Sequence, residues 1–469
     1  MTRRLLPVWL ALLVLLGGCN LAPEYHRPEA PVPAQWPKGE AYRPSQAAPG
    51  APAVAKLKWQ DFFRDQRLQK IITMALENNR DLRLAALNVE RARALYGIQR
   101  AELFPQVQLG AGAQKQRTAV ELTTPGNPRT TERYNVDLGV VAWEIDFFGR
   151  IRSLEEQALQ EYLATEQARR SAQIMLISET ARTYLALGAD RDNLRLAQET
   201  LQSQQYAYDL VKKRFDVGAA TELDLFRAET PLQTAKVDIA RYQQFAAQDL
   251  NALNLLAGAS VPKELLPAGL DDLTGPEDVS AGLSSEVLLQ RPDIIAAEHR
   301  LMGAYASIGA ARAAFFPRIV LTGSVGTASN QLSDLFGAGS DTWNFAPRLI
   351  MPIFDPRVWA ALRVSEADQQ IILTQYEKTI QTAFREVADT LAVKGTIGRQ
   401  LAAQQALVNA EQNSYRLSSQ RYANGIDNYL GVLYSQQTLF TSQKVLVILR
   451  LAKLANQVKL YEVLGGGAY

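Results

Sequence analysis

The chain has 469 residues, 47% hydrophobic and 21% charged, with a formal net charge of +2, one Cys and two His. That near-neutral balance excludes a strongly basic face built for nucleic acid, one Cys excludes an intramolecular disulfide framework, and His26 and His299 lie too far apart to suggest a His-rich metal site. Past the first twenty residues no run of about 18 apolar residues occurs, so the mature chain has no ordinary membrane-spanning helix.

Residues 1–18 read as an export signal, with Arg3 and Arg4 ahead of the apolar stretch Leu5 to Leu16 and small residues at Gly17 and Gly18. The ending Leu16-Gly17-Gly18-Cys19 resembles a bacterial lipobox, which makes Cys19 the lipidated (palmitate-bearing) N-terminus of a lipoprotein. A plain cleavable signal with an incidental Cys is the alternative. Two or more acyl chains anchor a protein stably. Asn20 follows the Cys where an Asp would resemble an inner-membrane retention signal, so the implied destination is the cell outer membrane. Residues 19–56 hold eight prolines from Pro23 to Pro52 and form a lipid-anchored, extended segment without a core.

The remainder is a duplication. Ala85, Ala92, Ala94, Arg100, Ala101, Phe104 and Pro105 recur as Ala297, Ala304, Ala306, Arg312, Ala313, Phe316 and Pro317. Arg214-Phe215-x-x-Gly218 recurs as Arg421-Tyr422-x-x-Gly425, and Leu223 as Leu430. A repeat this long is a structural half, not a solenoid unit. The first repeat is 57–257, a connector runs over 258–283, and the second repeat is 284–469.

Each repeat opens with an Ala-rich helix, 65–102 and 284–314, stopped by Phe-Pro because proline cannot continue it. Two alternating segments follow in each: 105–118 and 132–145, then 318–328 and 341–352. Period two predicts strands. A long helix comes next, 150–215 and 357–422, ending at Gly218 and Gly425. Roughly 65 residues at 1.5 Å rise make a rod of about 100 Å. Return helices at 222–257 and 428–464 close the repeats.

Four strands of about ten residues suit a membrane-spanning barrel, which must be closed because lipid tolerates no unpaired edge. Four cannot close alone. A dimer would give eight strands with an interior filled by side chains, while a trimer gives twelve with an aqueous lumen. Gln106, Gln108, Asn135, Asp137 and Thr322 would then face water. A soluble sheet capping a helical bundle is the competing reading.

The stretches LLQRPDIIAAEHRLMGAYASIGAARAAFFPRI (288–319) and ERYNVDLGVVAWEIDFFGRI (132–151) closely resemble the outer-membrane factor family of efflux lipoproteins, the TolC- and OprM-like channels. The resemblance covers essentially the whole mature chain. It implies an α+β membrane protein: a homotrimer with a twelve-stranded β-barrel, four strands per protomer, and a long periplasmic α-helical barrel. It also implies a passive exit duct of a tripartite, multidrug-type efflux pump, with no cofactor and no catalysis. The implied partners are a periplasmic adaptor (membrane fusion) protein, an inner-membrane transporter of RND type and outer-membrane lipid. A metal-ion efflux or type I secretion duct is the alternative within the class. Outside it stands a lipid-anchored coiled-coil spacer.

The residues Arg214, Phe215, Gly218, Arg421, Tyr422 and Gly425 read locally as helix-ending turns, Gly accepting a left-handed conformation. The resemblance makes them adaptor-docking tips. It also places a pore constriction at the start of the final helix, where relatives carry Leu, Asp and Arg. Here the positions are Leu430, Tyr434 and Gln437, with Asp224 and Arg227 in the first repeat, so the acidic and basic rings are absent. Apolar constrictions gate by dewetting, and charge rings set ion preference. A gate held by Leu430 and Tyr434, helped by Asp224 and Arg227, with weak cation preference is expected; the bland alternative is helix packing. Gly110-x-Gly112 lacks the third glycine of a dinucleotide loop, and no nucleophile–base pairing is found.

Overall fold

The period-two segments form one four-stranded antiparallel sheet in the computed structural model, which describes residues 20–42, 57–279 and 284–466. The signal over 1–18, the lipobox Cys19 and part of the Pro-rich segment lie outside the described residues. Among those described, eight α-helices and four strands follow in order: α1 (Trp59–Phe62), α2 (Gln66–Asn78), α3 (Arg80–Ala101), β1 (Val107–Arg117), β2 (Thr130–Ile145), α4 (Arg150–Asp216), α5 (Glu222–Ala257), α6 (Pro292–Ala313), β3 (Arg318–Ser329), β4 (Asp341–Ile350), α7 (Pro356–Ala423) and α8 (Tyr429–Val463). No helix among the described residues is long and apolar enough to cross a membrane.

Two helix boundaries differ from the sequence expectation. The helix expected over 65–102 is interrupted at Asn79, whose backbone is extended. Its side-chain oxygen accepts from the Leu82 N–H, starting α3 afresh, while its amide donates to the Leu256 carbonyl. Asn is a favoured N-cap because its short side chain competes with the helical ladder. The helix expected from 284 begins instead at Pro292, after a 3-10 stretch Ser285–Gln290, with proline at the first helical position where its missing N–H costs nothing.

The chain folds as two compact units, each built from both repeats. The first contains residues 88–166 and 296–376 with the N-terminal strap, and holds the sheet. Strand order is β1-β2-β3-β4, so β2 pairs with β3 across the repeats and β1 and β4 are left as edges. Residues paired directly opposite share a face. Gln108, Gly110, Gly112, Asn135, Asp137, Ser324 and Asn344 therefore lie on one face. Leu109, Leu138, Val325 and Trp343 lie on the other. That apolar face is bare: Leu109 is 75% exposed and Trp343 77%. Gly326 is required by close approach, since a Cβ there would sit 2.1 Å from the Val136 carbonyl oxygen.

The pairing shifts register between Val140 and Trp143, with Ala142 at φ 53°. The bulge moves the apolar face of β2 from even to odd positions, so Trp143 and Ile145 pair with Leu321 and Ile319. At this end Glu144 accepts bidentately from Arg150 at 2.8 Å and also from Arg318, tying β2 to α4 and β3. The strap lies antiparallel along α6. The Leu21 carbonyl meets Arg312, Ala22 packs on Gly309, Tyr25 stands edge-on to Tyr305, and Arg27 pairs with Glu298 through two 2.7 Å bonds.

The second unit holds residues 30–87, 167–295 and 377–469. Its core contains the stacked rings of Phe62 and Tyr461, 4.2 Å apart, with Phe63 edge-on to both. Arg291, the residue before the Pro292 break, is 9% exposed. It donates to Asp293, to Glu386 and to the Val463 carbonyl at 2.7 Å, fastening the end of α8 to the start of α6 and to α7. A guanidinium at a helix C-terminus meets carbonyls that lack intrahelical donors.

Candidate functional site

The two return turns have the same backbone for the same reason. Each long helix ends where a glycine takes the left-handed conformation, Gly218 at φ 73° and Gly425 at φ 71°. The Gly218 and Ala219 N–H groups donate to the Phe215 and Arg214 carbonyls, and those of Gly425 and Ile426 donate to Tyr422 and Arg421. This is a Schellman closure, satisfying carbonyls that the ending helix leaves bare. It accounts for Arg-aromatic-x-x-Gly recurring in both repeats.

Beyond the backbone the turns diverge. The Arg214 guanidinium donates to the Tyr422 hydroxyl at 2.5 Å and lies 5.0 Å from that ring's centre. One repeat's arginine thus grips the other repeat's aromatic. Arg421 turns back on its own loop and pairs with Asp427 at 2.5 and 3.1 Å, a guanidinium that holds the Asp427 carboxyl below its usual range. Tyr422 also meets Tyr429 at 5.3 Å between ring centres. Phe215 is partly exposed. Asp427 and Tyr429 escaped the sequence reading, although an acid six residues after Arg421 was a visible signal.

The return helices start differently too. Thr221 caps α5 in a reciprocal box: its hydroxyl accepts from the Asp224 N–H at 3.2 Å, and the Asp224 carboxylate accepts from the Thr221 N–H at 3.1 Å and hydroxyl at 2.7 Å. These bonds hold the Asp224 carboxyl below its ordinary value, with Arg227 adding to the effect. Asp224 is therefore engaged in the cap. Asn428, which precedes α8, makes no side-chain cap bond.

Of the residues expected at a constriction, Leu430 and Tyr434 project from α8 and are 52% and 70% exposed. Gln437 and Arg227 are exposed as well, one turn further along their helices. Among the described residues no element covers this row of α8. Deeper along the same helices, Asp190 of α4 and Asp249 of α5 share a hydrogen bond, and burial with the neighbouring carboxylate pushes Asp190 up to about 6. No group of three or more potential metal-ligating side chains occurs among the described residues.

Comparison with known proteins is consistent across three levels. The profile of the family described as "Outer membrane efflux protein" matches residues 71–259 and 283–466. The toluene efflux pump outer membrane protein TtgC of Pseudomonas putida is 46% identical over 470 residues, covering 100% of this chain and 96% of that protein. A membrane protein from Pseudomonas aeruginosa, known from a crystal structure, superposes with a TM-score of 0.88 at 39% identity, covering 95% of this chain and 100% of that one. The open state of the Neisseria gonorrhoeae MtrE outer membrane channel gives 0.86 at 36% identity, covering 96% and 99%.

Proposed function

The chain belongs to the outer membrane efflux protein family, and from that premise we propose that it is the outer-membrane exit duct of a tripartite efflux pump, conducting substrates passively. It is a conduit and not an enzyme. The observation that carries the reading is the sheet: four antiparallel strands with an apolar face, a polar face and two unpaired edges. In lipid such edges must be paired, and copies of the chain are the natural source of partners. Three copies close a twelve-stranded barrel with Asn135 and Asp137 toward water and Leu109 and Trp343 toward lipid.

Cys19 carries the lipid anchor in this reading, and the strap along α6 delivers the N-terminal segment toward the start of β3. The long helices of three copies line the periplasmic part of the duct. The turns at Arg214, Phe215 and Gly218 and at Arg421, Tyr422 and Gly425 meet a periplasmic adaptor, which couples the duct to an RND-type inner-membrane transporter. Leu430 and Tyr434, exposed on α8, pack against their counterparts to narrow the pore, with Gln437, Arg227 and Asp224 behind them. An apolar ring without charge closes by dewetting and confers little ion selectivity.

Reconstitution in planar bilayers tests this. Heat-modifiable trimers should give small, weakly selective channels, and Tyr434→Ala should raise the conductance severalfold. Strong cation selectivity in the wild type, or an unchanged Tyr434→Ala channel, would overturn the constriction; monomers without conductance would overturn the duct.

A further inference from the structure

We propose that Arg117 of one copy pairs with Asp341 of the next, an ion pair that sets the register in which the sheets of successive copies join. The pair rests on the reading of the chain as a barrel closed by several copies, and carries it from which edges meet to which residues meet. β1 and β4 are the two edges of the sheet. Arg117 ends β1 and Asp341 begins β4, so both stand at the end where the loops 118–129 and 330–340 leave the sheet. Arg117 lies opposite Thr130, and Asp341 opposite Thr327, which in turn faces Val136. These positions share the apolar face that carries Leu109, Leu138 and Trp343.

The charged side chains on that face of the strands are Lys115, Glu132, Arg117 and Asp341. Lys115 and Glu132 stand opposite one another and are paired, and the Tyr134 hydroxyl donates to Glu132 at 3.1 Å. Arg117 and Asp341 are exposed and make no side-chain hydrogen bond or ion pair among the described residues. One unmet cation is thus left on one edge and one unmet anion on the other, on the same face and at the same end. Charge facing lipid is costly, least so near the membrane boundary, and joining the two edges answers both charges at once.

The strand lengths agree with this register. β1 has 11 residues and β4 has 10, and laid antiparallel over their full length they set Arg117 opposite Asp341. The same register sets Leu109 against Leu349 and the small Ala113 against Phe345 on the apolar face, and Gln114 against Asn344 on the polar one. A slip of one residue would put the apolar face of one copy beside the polar face of the next. A slip of two would carry Asp341 to Lys115, which Glu132 already engages, and leave Arg117 bare.

Cysteine cross-linking of the full chain in lipid nanodiscs tests the pair, since the chain's one natural cysteine, Cys19, lies outside the strands. Residues directly opposite on antiparallel strands have Cα atoms about 4.5–5.5 Å apart, within reach of a disulfide. Arg117→Cys combined with Asp341→Cys should, on oxidation, run chiefly as a covalent trimer on a denaturing, non-reducing gel. Arg117→Cys combined with Trp343→Cys, two residues off, should stay mostly monomeric there. Stronger cross-linking of the Trp343 combination, or none of the Asp341 combination while the wild type forms heat-modifiable trimers, would overturn the register. In a second measurement, Arg117→Asp should lower the temperature at which the trimer dissociates, and adding Asp341→Arg should restore it. A double variant no more stable than the single one would overturn the ion pair. Wild-type chains that form no trimer would overturn the barrel itself, so the two failures are told apart.

Discussion

The turn joining α4 to α5 and the turn joining α7 to α8 share one backbone and differ in what secures them. The first is capped locally by Thr221 and Asp224 and reaches outward through Arg214 to Tyr422. The second is closed on itself by Arg421 and Asp427, and its return helix starts without a side-chain cap. The difference continues along the helices. The first pair carries the Asp190–Asp249 contact, where the second, 207 residues on, has Ile397 and Asn456. Duplication supplied two equal arms; divergence closed one turn with its own Arg421–Asp427 pair and capped the other with Thr221, while the Arg214–Tyr422 bond joins the two.

The most disruptive way to probe this contrast is to attack what the arms share. Gly218→Val and Gly425→Val each force a branched side chain into the left-handed region, at about 1–2 kcal/mol or more. Both should lower the helical unfolding temperature to the same extent and impair pump-dependent resistance; a large inequality would show that the turns are not equivalent even in backbone.

The acid pair comes next. The folded chain holds a proton on Asp190 more tightly than the ordinary value of 3.8, up to about 6. The cost of ionising Asp190 is therefore absent at low pH, grows as pH rises from about 4 to about 6, and is complete above that. Asp190→Asn should raise thermal stability at pH 7.5 and flatten its pH dependence between 4 and 6. The second arm has no such pair to relieve, so Asn456→Ala should leave that dependence unchanged.

The smallest effects separate the two turns directly. Thr221→Ala removes the α5 cap, worth about 1 kcal/mol. Asp427→Asn, at an exposed ion pair, should cost less. Hydrogen exchange should report the first as fraying confined to the start of α5, and the second as faster exchange of the second turn alone. Equal fraying of both turns in either variant would mean that Arg214 and Tyr422 bind the arms into one unit.

The alternation in β1 to β4, the glycines ending the long helices and the Phe-Pro stops were all legible along the chain, because each is written within a few neighbouring residues. The resemblance to outer-membrane efflux channels was legible too, and the family comparisons bear it out. Asn79 broke a helix that Ala-rich periodicity carried straight through, since one cap with a distant partner in Leu256 outweighed helix propensity. At the two return turns the glycine stops were readable, but not that Arg214 would bond Tyr422, or that Asp224 would be engaged by Thr221.

By itself the sequence determined the elements, their duplication and the two chemistries of the strands, because period and punctuation act over single turns and strands. The tertiary structure alone decided which elements meet. It paired β2 with β3 across the repeats, so that each compact unit draws on both. It also placed the bulge after Val140, with Ala142 at positive φ, where the apolar positions of β2 change parity to stay opposite Leu321 and Ile319. Such contacts join residues nearly two hundred positions apart, and their energies depend on packing that no local pattern encodes.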